Sequence, residues 1–140
     1  MKKILVLFLS AILVGLVCQT ALADAGKEKT AEAVARSWLS LVDREMYAES
    51  WTEAAAYFRG AVTQERWMQS MKSMRQPLGK NRSRKLLSSK YTRTLPGAPD
   101  GEYVVVQYQA TFEKKQSAVE TVTPLLDKDG KWRVSGYFVR

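Results

Sequence analysis

The spacing of the apolar residues changes once along the chain, near residue 82, and this change constrains the fold more than any other feature. Before it, apolar residues recur three or four positions apart, as on one face of a helix. After it they alternate, as in half-buried strands. A run of helices followed by a run of strands indicates an α+β domain. With 140 residues, 46% of them hydrophobic, the chain suits one globular core.

Three helices are predicted between residues 29 and 79. Thr30 and Thr63 are the expected N-caps of the first and third helices, and Glu65 suits the positive end of the third helix dipole. Gly60 is expected to end the second helix and Pro77 the third. The apolar stripes of these helices comprise Val34, Trp38, Leu41, Val42, Trp51, Ala54, Ala55, Phe58, Trp67, Met71 and Met74.

Four strands are predicted over residues 82–95, 103–112, 117–126 and 131–140, with turn residues between them. Pro124 cannot donate a ladder hydrogen bond, so a bulge or an unpaired edge position is expected there. The expected architecture is three N-terminal helices packed on a curved four-stranded antiparallel sheet, a layout that commonly leaves a concavity between its layers. The predicted core face of the second and fourth strands comprises Val104, Val106, Tyr108, Ala110, Phe112, Trp132, Val134, Gly136 and Phe138.

The first 23 residues have the order of a secretory signal peptide. Met1-Lys2-Lys3 is a positively charged start, residues 4–17 form an uncharged apolar run, and Ala21-Leu22-Ala23 is a small-x-small cleavage site. We therefore expect cleavage after Ala23 and a single α+β domain over residues 24–140. The expected location is periplasmic or secreted. Loss of the two lysines lowers the formal net charge from +8 to +6.

Two other interpretations of this N-terminal segment are open. An uncleaved membrane anchor is one, but 14 apolar residues are fewer than the roughly 20 that span a bilayer. Lipid modification of Cys18 is the other, but Val17 stands where a lipobox needs a small residue. The order of the segment favours cleavage, and no transmembrane helix is expected in the mature chain.

The residue types that are missing exclude several kinds of chemistry. The chain has no His, and its one Cys, Cys18, falls in the predicted signal peptide. Ser-His and Cys-His catalysis, His metal ligands, Cys-rich zinc sites and internal disulfides are therefore excluded. No phosphate-binding loop, dinucleotide fingerprint or metal-ligand cluster occurs in the sequence, so no cofactor and no metal are predicted.

A series of short motifs runs through residues 38–137. The first is Trp38-Leu39 with Asp43, Tyr47 and Ser50-Trp51, which resembles the opening of nuclear transport factor 2-like (cystatin-like) α+β domains. The others are Thr63-x-Glu65-x-Trp67, Arg75-x-Pro77-Leu78-Gly79, Leu95-Pro96-Gly97-Ala98-Pro99-Asp100-Gly101-x-Tyr103, Phe112-x-x-Lys115, Glu120-Thr121-Val122 and Asp129-Gly130-x-Trp132-x-Val134-Ser135-Gly136-Tyr137. Together they resemble the bacterial domain of unknown function 4019, a family of small exported proteins. The resemblance implies a fold and a compartment, and it transfers no catalytic residue because the family has no agreed activity.

Glu120 and Tyr108 are the weak candidates for catalytic residues. Glu120 is the one carboxylate that lies among apolar neighbours in a predicted strand, and an inward orientation would suit it to act as a general base. The alternative is a solvent-facing residue, or one paired with Arg84 or Arg133. The sequence favours this alternative because structural ion pairs often imitate functional sites. Asp43 is expected to cap a helix end rather than to act in catalysis.

The region between Glu65 and Asp100 contains no acidic residue and is strongly basic. It is a candidate surface for an anionic component of the cell envelope. The alternative, which is usual for charge runs, is a solvated face whose charges pair with acids elsewhere in the fold. Nucleic acid is not expected as a partner, since no recognition motif is present. The basic residues are Arg66, Lys72, Arg75, Lys80, Arg82, Arg84, Lys85, Lys90 and Arg93.

The sequence favours a non-enzymatic module that binds an envelope protein or a small ligand. Aromatic side chains would line a pocket for an apolar ligand, although at helix and strand spacing they usually form the core. The exposed 96–101 loop would suit a contact. The alternatives are a small pocket enzyme that uses Glu120 and Tyr108, and electrostatic binding through residues 66–93. A homodimer is also compatible with the resemblance. The aromatic residues are Trp38, Trp51, Trp67, Trp132, Tyr57, Tyr108 and Phe112.

Overall fold

The computed structural model describes the backbone of residues 2–140 and the side chains of residues 19–140. The predicted signal-peptide run 4–17 and Cys18 lie outside the residues whose side chains are described. Within residues 19–140, no helix is long and apolar enough to cross a membrane. The elements are α1 (Lys2–Asp43), α2 (Tyr47–Thr52), α3 (Ala56–Ala61), α4 (Gln64–Arg75), β1 (Asn81–Thr92), β2 (Tyr103–Phe112), β3 (Lys115–Leu126) and β4 (Trp132–Val139).

The α+β class is confirmed, with helices followed by a four-stranded antiparallel sheet. The strand order is β1-β2-β3-β4, so each strand pairs with its neighbour in sequence. The predicted core face of β2 is confirmed, because the pleat places every second residue on the side that the helices cover. The buried residues of this face are Val104, Val106, Tyr108, Ala110 and Phe112.

Two of the predicted helix boundaries are wrong. Thr30 lies inside α1, and its hydroxyl donates to the carbonyl of Gly26 at 3.0 Å instead of capping a helix. The reason is local, since the Ala, Lys and Glu residues around it are good helix formers and no proline interrupts them. Gly60 lies inside α3, and the predicted second helix is divided into α2 and α3 by a short turn.

The boundaries of α4 follow the sequence more closely. The Thr63 hydroxyl accepts a hydrogen bond from the backbone N–H of Arg66 at 3.3 Å, which confirms the predicted N-cap. The helix ends at Arg75, shortly before the predicted proline. Gly79 then reverses the chain into β1 with a φ of +74°, and a Cβ there would lie 2.9 Å from the Cβ of Glu113. Only glycine fits this connection without strain.

The register of β4 departs from simple alternation. Val122 faces Tyr137 whereas Pro124 faces Val134, so β4 contains one extra residue at the bulge that the proline predicts. The bulge moves later side chains to the opposite face. Tyr137 is therefore buried and Phe138 is 47% exposed, so the prediction that Phe138 lies on the core face is wrong.

Large aromatic side chains fill the space between the helices and the sheet. The ring of Trp38 packs 6.1 Å from that of Trp67 and 5.4 Å from that of Tyr137, measured between centroids. Phe58 meets Trp67 edge to face at 4.9 Å. Both indoles donate hydrogen bonds to Ser50, one to its carbonyl and one to its hydroxyl, at 2.8 and 2.9 Å. These rings thus occupy part of the concavity expected between the layers.

Both edges of the sheet make hydrogen bonds to helical or connecting segments. At the β1 edge, the backbone N–H of Tyr91 donates to the carboxylate of Glu28 from α1 at 2.9 Å. The hydroxyl of Tyr91 donates to Glu102 at 2.9 Å. At the β4 edge, the backbone N–H of Ala55 donates to the carbonyl of Val134 at 2.8 Å. These contacts satisfy groups that an open sheet edge would leave unpaired.

Candidate functional site

Five ionisable side chains from five different elements meet between the helices and the sheet. We call this group the buried ion cluster, and it consists of Asp43 from α1, Arg75 from α4, Arg84 from β1, Glu120 from β3 and Tyr137 from β4. It contains three of the residues singled out in the sequence, Arg75, Arg84 and Glu120. The cluster therefore combines a candidate for catalysis, Glu120, with two candidates for anion binding, Arg75 and Arg84.

Glu120 is fully buried and both of its carboxylate oxygens accept hydrogen bonds. Arg84 donates from Nε to Oε1 at 2.6 Å and from Nη2 to Oε2 at 3.2 Å. Tyr137 donates its hydroxyl to Oε2 at 2.6 Å, and Arg75 Nη1 lies 3.5 Å from the same oxygen. The pairing of Glu120 with Arg84, one of the alternatives predicted from the sequence, is present.

Asp43 is the second carboxylate of the cluster, and its side chain is 28% exposed. Its Oδ1 accepts from Arg75 Nη2 at 2.9 Å and from Arg84 Nη2 at 3.1 Å, while its Oδ2 accepts from Arg84 Nη1 at 2.9 Å. Arg84 thus bridges the two carboxylates with all three nitrogens of its guanidinium group. Two arginines balance two carboxylates, so the cluster carries no formal net charge.

The surroundings shift the pKa values of this cluster in consistent directions. Burial alone would raise the pKa of Asp43, but hydrogen bonds and charges from Arg84 and then Arg75 outweigh it, and the pKa lies below its ordinary value. Burial alone would lower the pKa of Arg84, and its two carboxylate partners raise the pKa instead. Burial, and then the charge of Glu120, raises the pKa of Tyr137. Asp43 and Arg84 therefore stay charged and Tyr137 stays protonated near neutral pH.

Tyr108 faces Glu120 in the register of β2 and β3, but the two side chains do not form a hydrogen bond. The buried hydroxyl of Tyr108 has no hydrogen-bond partner among the described residues, although Arg36 is close enough for its charge to oppose the rise in the pKa of Tyr108 that burial causes. The cavities described below are not lined by Glu120. Within the described side chains, Glu120 and Tyr108 are both buried, with 0% and 1% of their surface exposed.

Tyr137 and the role of Asp43 were not predicted from the sequence. Simple alternation along β4 places Tyr137 on the solvent face, and the bulge opposite Pro124 brings it inside. The signal that was available is the proline itself, which predicts a bulge and hence a change of face. Asp43 was expected to cap a helix end, whereas its carboxylate binds two arginines that lie 32 and 41 residues away in sequence.

The basic residues of the 66–93 region do not form one face. Alternation in β1 directs Arg84 inward, whereas Lys85 and Lys90 are exposed and pair in register with Gln109 and Val105 on the outer face of β2. Arg82 is exposed and forms an ion pair with Glu113 at 3.0 Å. Four further exposed cations lie along or beside the helix and strand of this region: Arg66, Lys72, Lys80 and Arg93.

The largest cavity described here is a surface groove of about 840 Å³, which we call the Tyr57 groove. Its floor is a small second hydrophobic cluster that includes Tyr103 and Leu125. One wall is α3, from which the side chain of Tyr57 projects and is 45% exposed. The other walls are the 99–101 loop and the turn between β3 and β4, residues 126–129. The groove thus combines an exposed aromatic residue with the loop that the sequence suggested for contacts.

Another groove of about 590 Å³ lies between α1, α2 and the start of β4, where Trp38 and Trp132 contribute to its lining. A polar hollow of about 480 Å³ lies where α1 and α4 end, beside Asp43 and Arg75. The part of the chain with described side chains holds no group of three or more Asp, Glu, Cys or His residues that suits a metal ion. The grooves and hollows described for residues 19–140 lie at the surface of the domain.

The fold and these sites define a small α+β domain with a filled interior and surface grooves. The sequence model of a family described as a protein of unknown function, DUF4019, matches residues 34–137. The chain belongs to this family, as the motifs indicate. No curated protein is significantly similar to the chain.

Glu120→Gln should lower the free energy of unfolding by about 3 kcal/mol, because it leaves buried arginine charge without its full ionic partner. Tyr108→Phe is the matched control in the facing strand. It removes a buried hydroxyl that has no partner, so stability should be unchanged or slightly higher. Urea unfolding of the purified variants measures both changes. Equal losses in the two variants would contradict the structural role assigned to Glu120.

The lowered pKa of Asp43 makes part of the stability depend on pH. A carboxyl whose pKa is lowered on folding stabilises the protein above its unfolded pKa, about 3.9, and this contribution is lost as pH falls through the folded pKa. Asp43→Asn should therefore be clearly destabilised at pH 7, and the gap to the wild type should narrow below about pH 4. Urea unfolding at several pH values measures the gap. Asp100→Asn, at an exposed position, is the control, and a gap independent of pH would refute the assignment.

Proposed function

We propose that this protein is an exported, non-enzymatic binding domain of the cell envelope, and that the Tyr57 groove is its contact surface. The observation that carries the proposal is the exposed side chain of Tyr57 over an apolar floor, in a domain whose interior is filled. Aromatic residues in partly desolvated grooves are typical anchors of protein interfaces. The occupant that we propose is a polypeptide segment with at least one apolar side chain.

The charges around the groove favour a polypeptide over a strongly charged ligand. Arg133 donates to Asp127 at 2.9 Å and to Asp129 at 2.8 Å, so these three charges neutralise each other in part. Arg59, Asp100 and Lys128 also line the groove, and no ion pair is formed by them among the described residues. A rim of mixed charge around an apolar centre is the usual anatomy of a protein interface.

The two alternatives from the sequence have less support. An enzyme that uses Glu120 and Tyr108 would need a free acceptor oxygen and access for a substrate, whereas Glu120 is enclosed by Arg75, Arg84 and Tyr137. Electrostatic binding through residues 66–93 would need its cations on one face. Arg75 and Arg84 are bound inside, and the exposed cations lie on more than one layer.

Site-specific photo-crosslinking tests the groove in producing cells. A photoreactive phenylalanine derivative replaces Tyr57 in one strain and Phe138 in another. These two aromatic side chains are 45% and 47% exposed, so Phe138 is a control of matched size and accessibility. We expect one discrete protein adduct at position 57 that disappears when Leu125→Glu is added, and none at 138. Equal labelling at both positions, or adducts of small molecules alone, would overturn the proposal of a protein partner.

Export has its own test. We expect the protein recovered from the envelope fraction or the medium to begin at Asp24, with the intact mass of residues 24–140. A protein that begins at residue 1 and remains in the cytosol would refute export. A lipid-modified mass starting at Cys18 would replace the free mature form with an anchored one. Intact mass spectrometry of each fraction distinguishes these outcomes.

A further inference from the structure

A polar cavity lies where α1 and α4 both end. Two adjoining hollows of about 480 and 360 Å³ share Glu45, Tyr47 and Gln76 in their linings. We call them together the helix-end cavity. Their combined lining also includes Asp43, Arg44, Lys72, Arg75, Lys80 and Glu113. The cavity lies apart from the Tyr57 groove, with which it shares no residue.

Tyr47 provides the first sign of a ligand. The residue is 5% exposed and lines both hollows. Its hydroxyl makes no hydrogen bond with any described residue, unlike the hydroxyls of Tyr91, Tyr103 and Tyr137. Unlike the buried hydroxyl of Tyr108, that of Tyr47 is reached by solvent from the cavity, so it is available to a group that enters.

The backbone of Glu45 provides the second, independent sign. Its φ is +60°, the left-handed conformation that glycine usually adopts after a helix. The bonds from Glu45 N–H to the carbonyl of Val42, and from Met46 N–H to that of Leu41, complete this turn. A non-glycine residue there costs roughly 1 kcal/mol or more. The Glu45 carboxylate makes no ion pair or hydrogen bond with a described residue, so only the backbone bonds of the turn offset this cost.

The charges of the lining favour an anion. Asp43 and Arg75 bind each other within the buried ion cluster. Glu113 accepts from the Lys80 N–H at 3.1 Å and pairs with Arg82. The charged groups of the lining without an ion pair among the described residues are Arg44, Lys72, Lys80 and Glu45. Three positive charges and one negative charge of the lining are therefore free of ion pairs, and Arg44 donates from Nε to the carbonyl of Ser40 at 3.1 Å.

We infer that the helix-end cavity binds a small organic oxyanion, carboxylate or phosphate, that also carries an ammonium or hydroxyl donor. The Tyr47 hydroxyl, which lines both hollows, holds the oxyanion together with Lys72 in the smaller hollow or Lys80 in the larger. Glu45 accepts from the donor. The volume suits a ligand of a few to a dozen heavy atoms, since small-molecule sites commonly measure about 300–1,000 Å³. Because Tyr47 is recessed, a macromolecule or a flat surface is disfavoured as the ligand.

NMR titration of the isotope-labelled protein tests this inference with three probes. Acetate and inorganic phosphate distinguish the two oxyanions, and glycine adds an ammonium group to the carboxylate. We expect saturable binding, with the largest amide shifts at Glu45, Tyr47 and Gln76, and tighter binding of glycine than of acetate. The absence of saturable binding for all three probes at millimolar concentrations would overturn the inference.

Charge-matched variants distinguish a specific binding site from nonspecific electrostatic attraction. Lys72→Gln with Lys80→Gln should weaken binding by about tenfold or more, as should Tyr47→Phe, because each removes hydrogen bonds to a charged group. Lys85→Gln with Lys90→Gln removes the same charge from the outer face of the sheet and should change affinity less than about twofold. Equal losses in the two double variants would show nonspecific attraction and would refute the site.

Glu45→Gln tests the contact between Glu45 and the ligand donor, because a purely structural role would not change the preference between acetate and glycine. Loss of its negative charge should strengthen acetate binding and weaken glycine binding, so the preference between the two probes should reverse or disappear. A parallel change for both probes would contradict the role given to Glu45. This result is independent of the crosslinking at Tyr57, so either proposal can fail without the other.

Discussion

The guanidinium group of Arg84 is the interaction on which the rest of the structure depends. It joins Asp43 at the end of α1 to Glu120 in β3, and it does so from β1, two strands away from β3 in the sheet. Arg75 and Tyr137 complete the cluster from α4 and β4. A buried ion pair adds little net stability over apolar packing, but removal of one partner strongly destabilises the fold. The cluster therefore determines the relative position of five elements more than it stabilises any one of them.

This neutral cluster also distinguishes the buried charged residues, which bind each other, from the surface residues that can bind a ligand. Because Arg75, Arg84, Asp43 and Glu120 bind each other, their charges are satisfied within the cluster. The groups with free capacity lie further out, at the ends of the helices and beside α3. A motif that resembles a family and a reactive site are thus different things in this domain, and the first does not imply the second.

The sequence predicts what depends on local periodicity and misses what depends on register. The core face of β2 follows from strict alternation, because no bulge interrupts the part from Val104 to Ala110. The same reasoning fails in β4, where the bulge opposite Pro124 places Tyr137 on the core face and Phe138 on the exposed face. The Glu120–Arg84 pair was among the alternatives, since both lie in predicted strands. The contact of Asp43 with this pair was not predicted, because it depends on how the end of α1 packs on a sheet whose strands come many residues later in the sequence.

The hydrogen bond that Glu28 makes at the β1 edge links this edge to the way the N-terminus is processed. The carboxylate that accepts from Tyr91 belongs to Glu28, which would be the fifth residue of a chain that begins at Asp24. Trimming by an aminopeptidase would need to remove only these few residues to free that backbone donor. The strand would then offer an unpaired edge to another chain, a starting point for β-type aggregation. A chain shortened beyond Glu28 would thus lose one contact that covers this edge of the sheet.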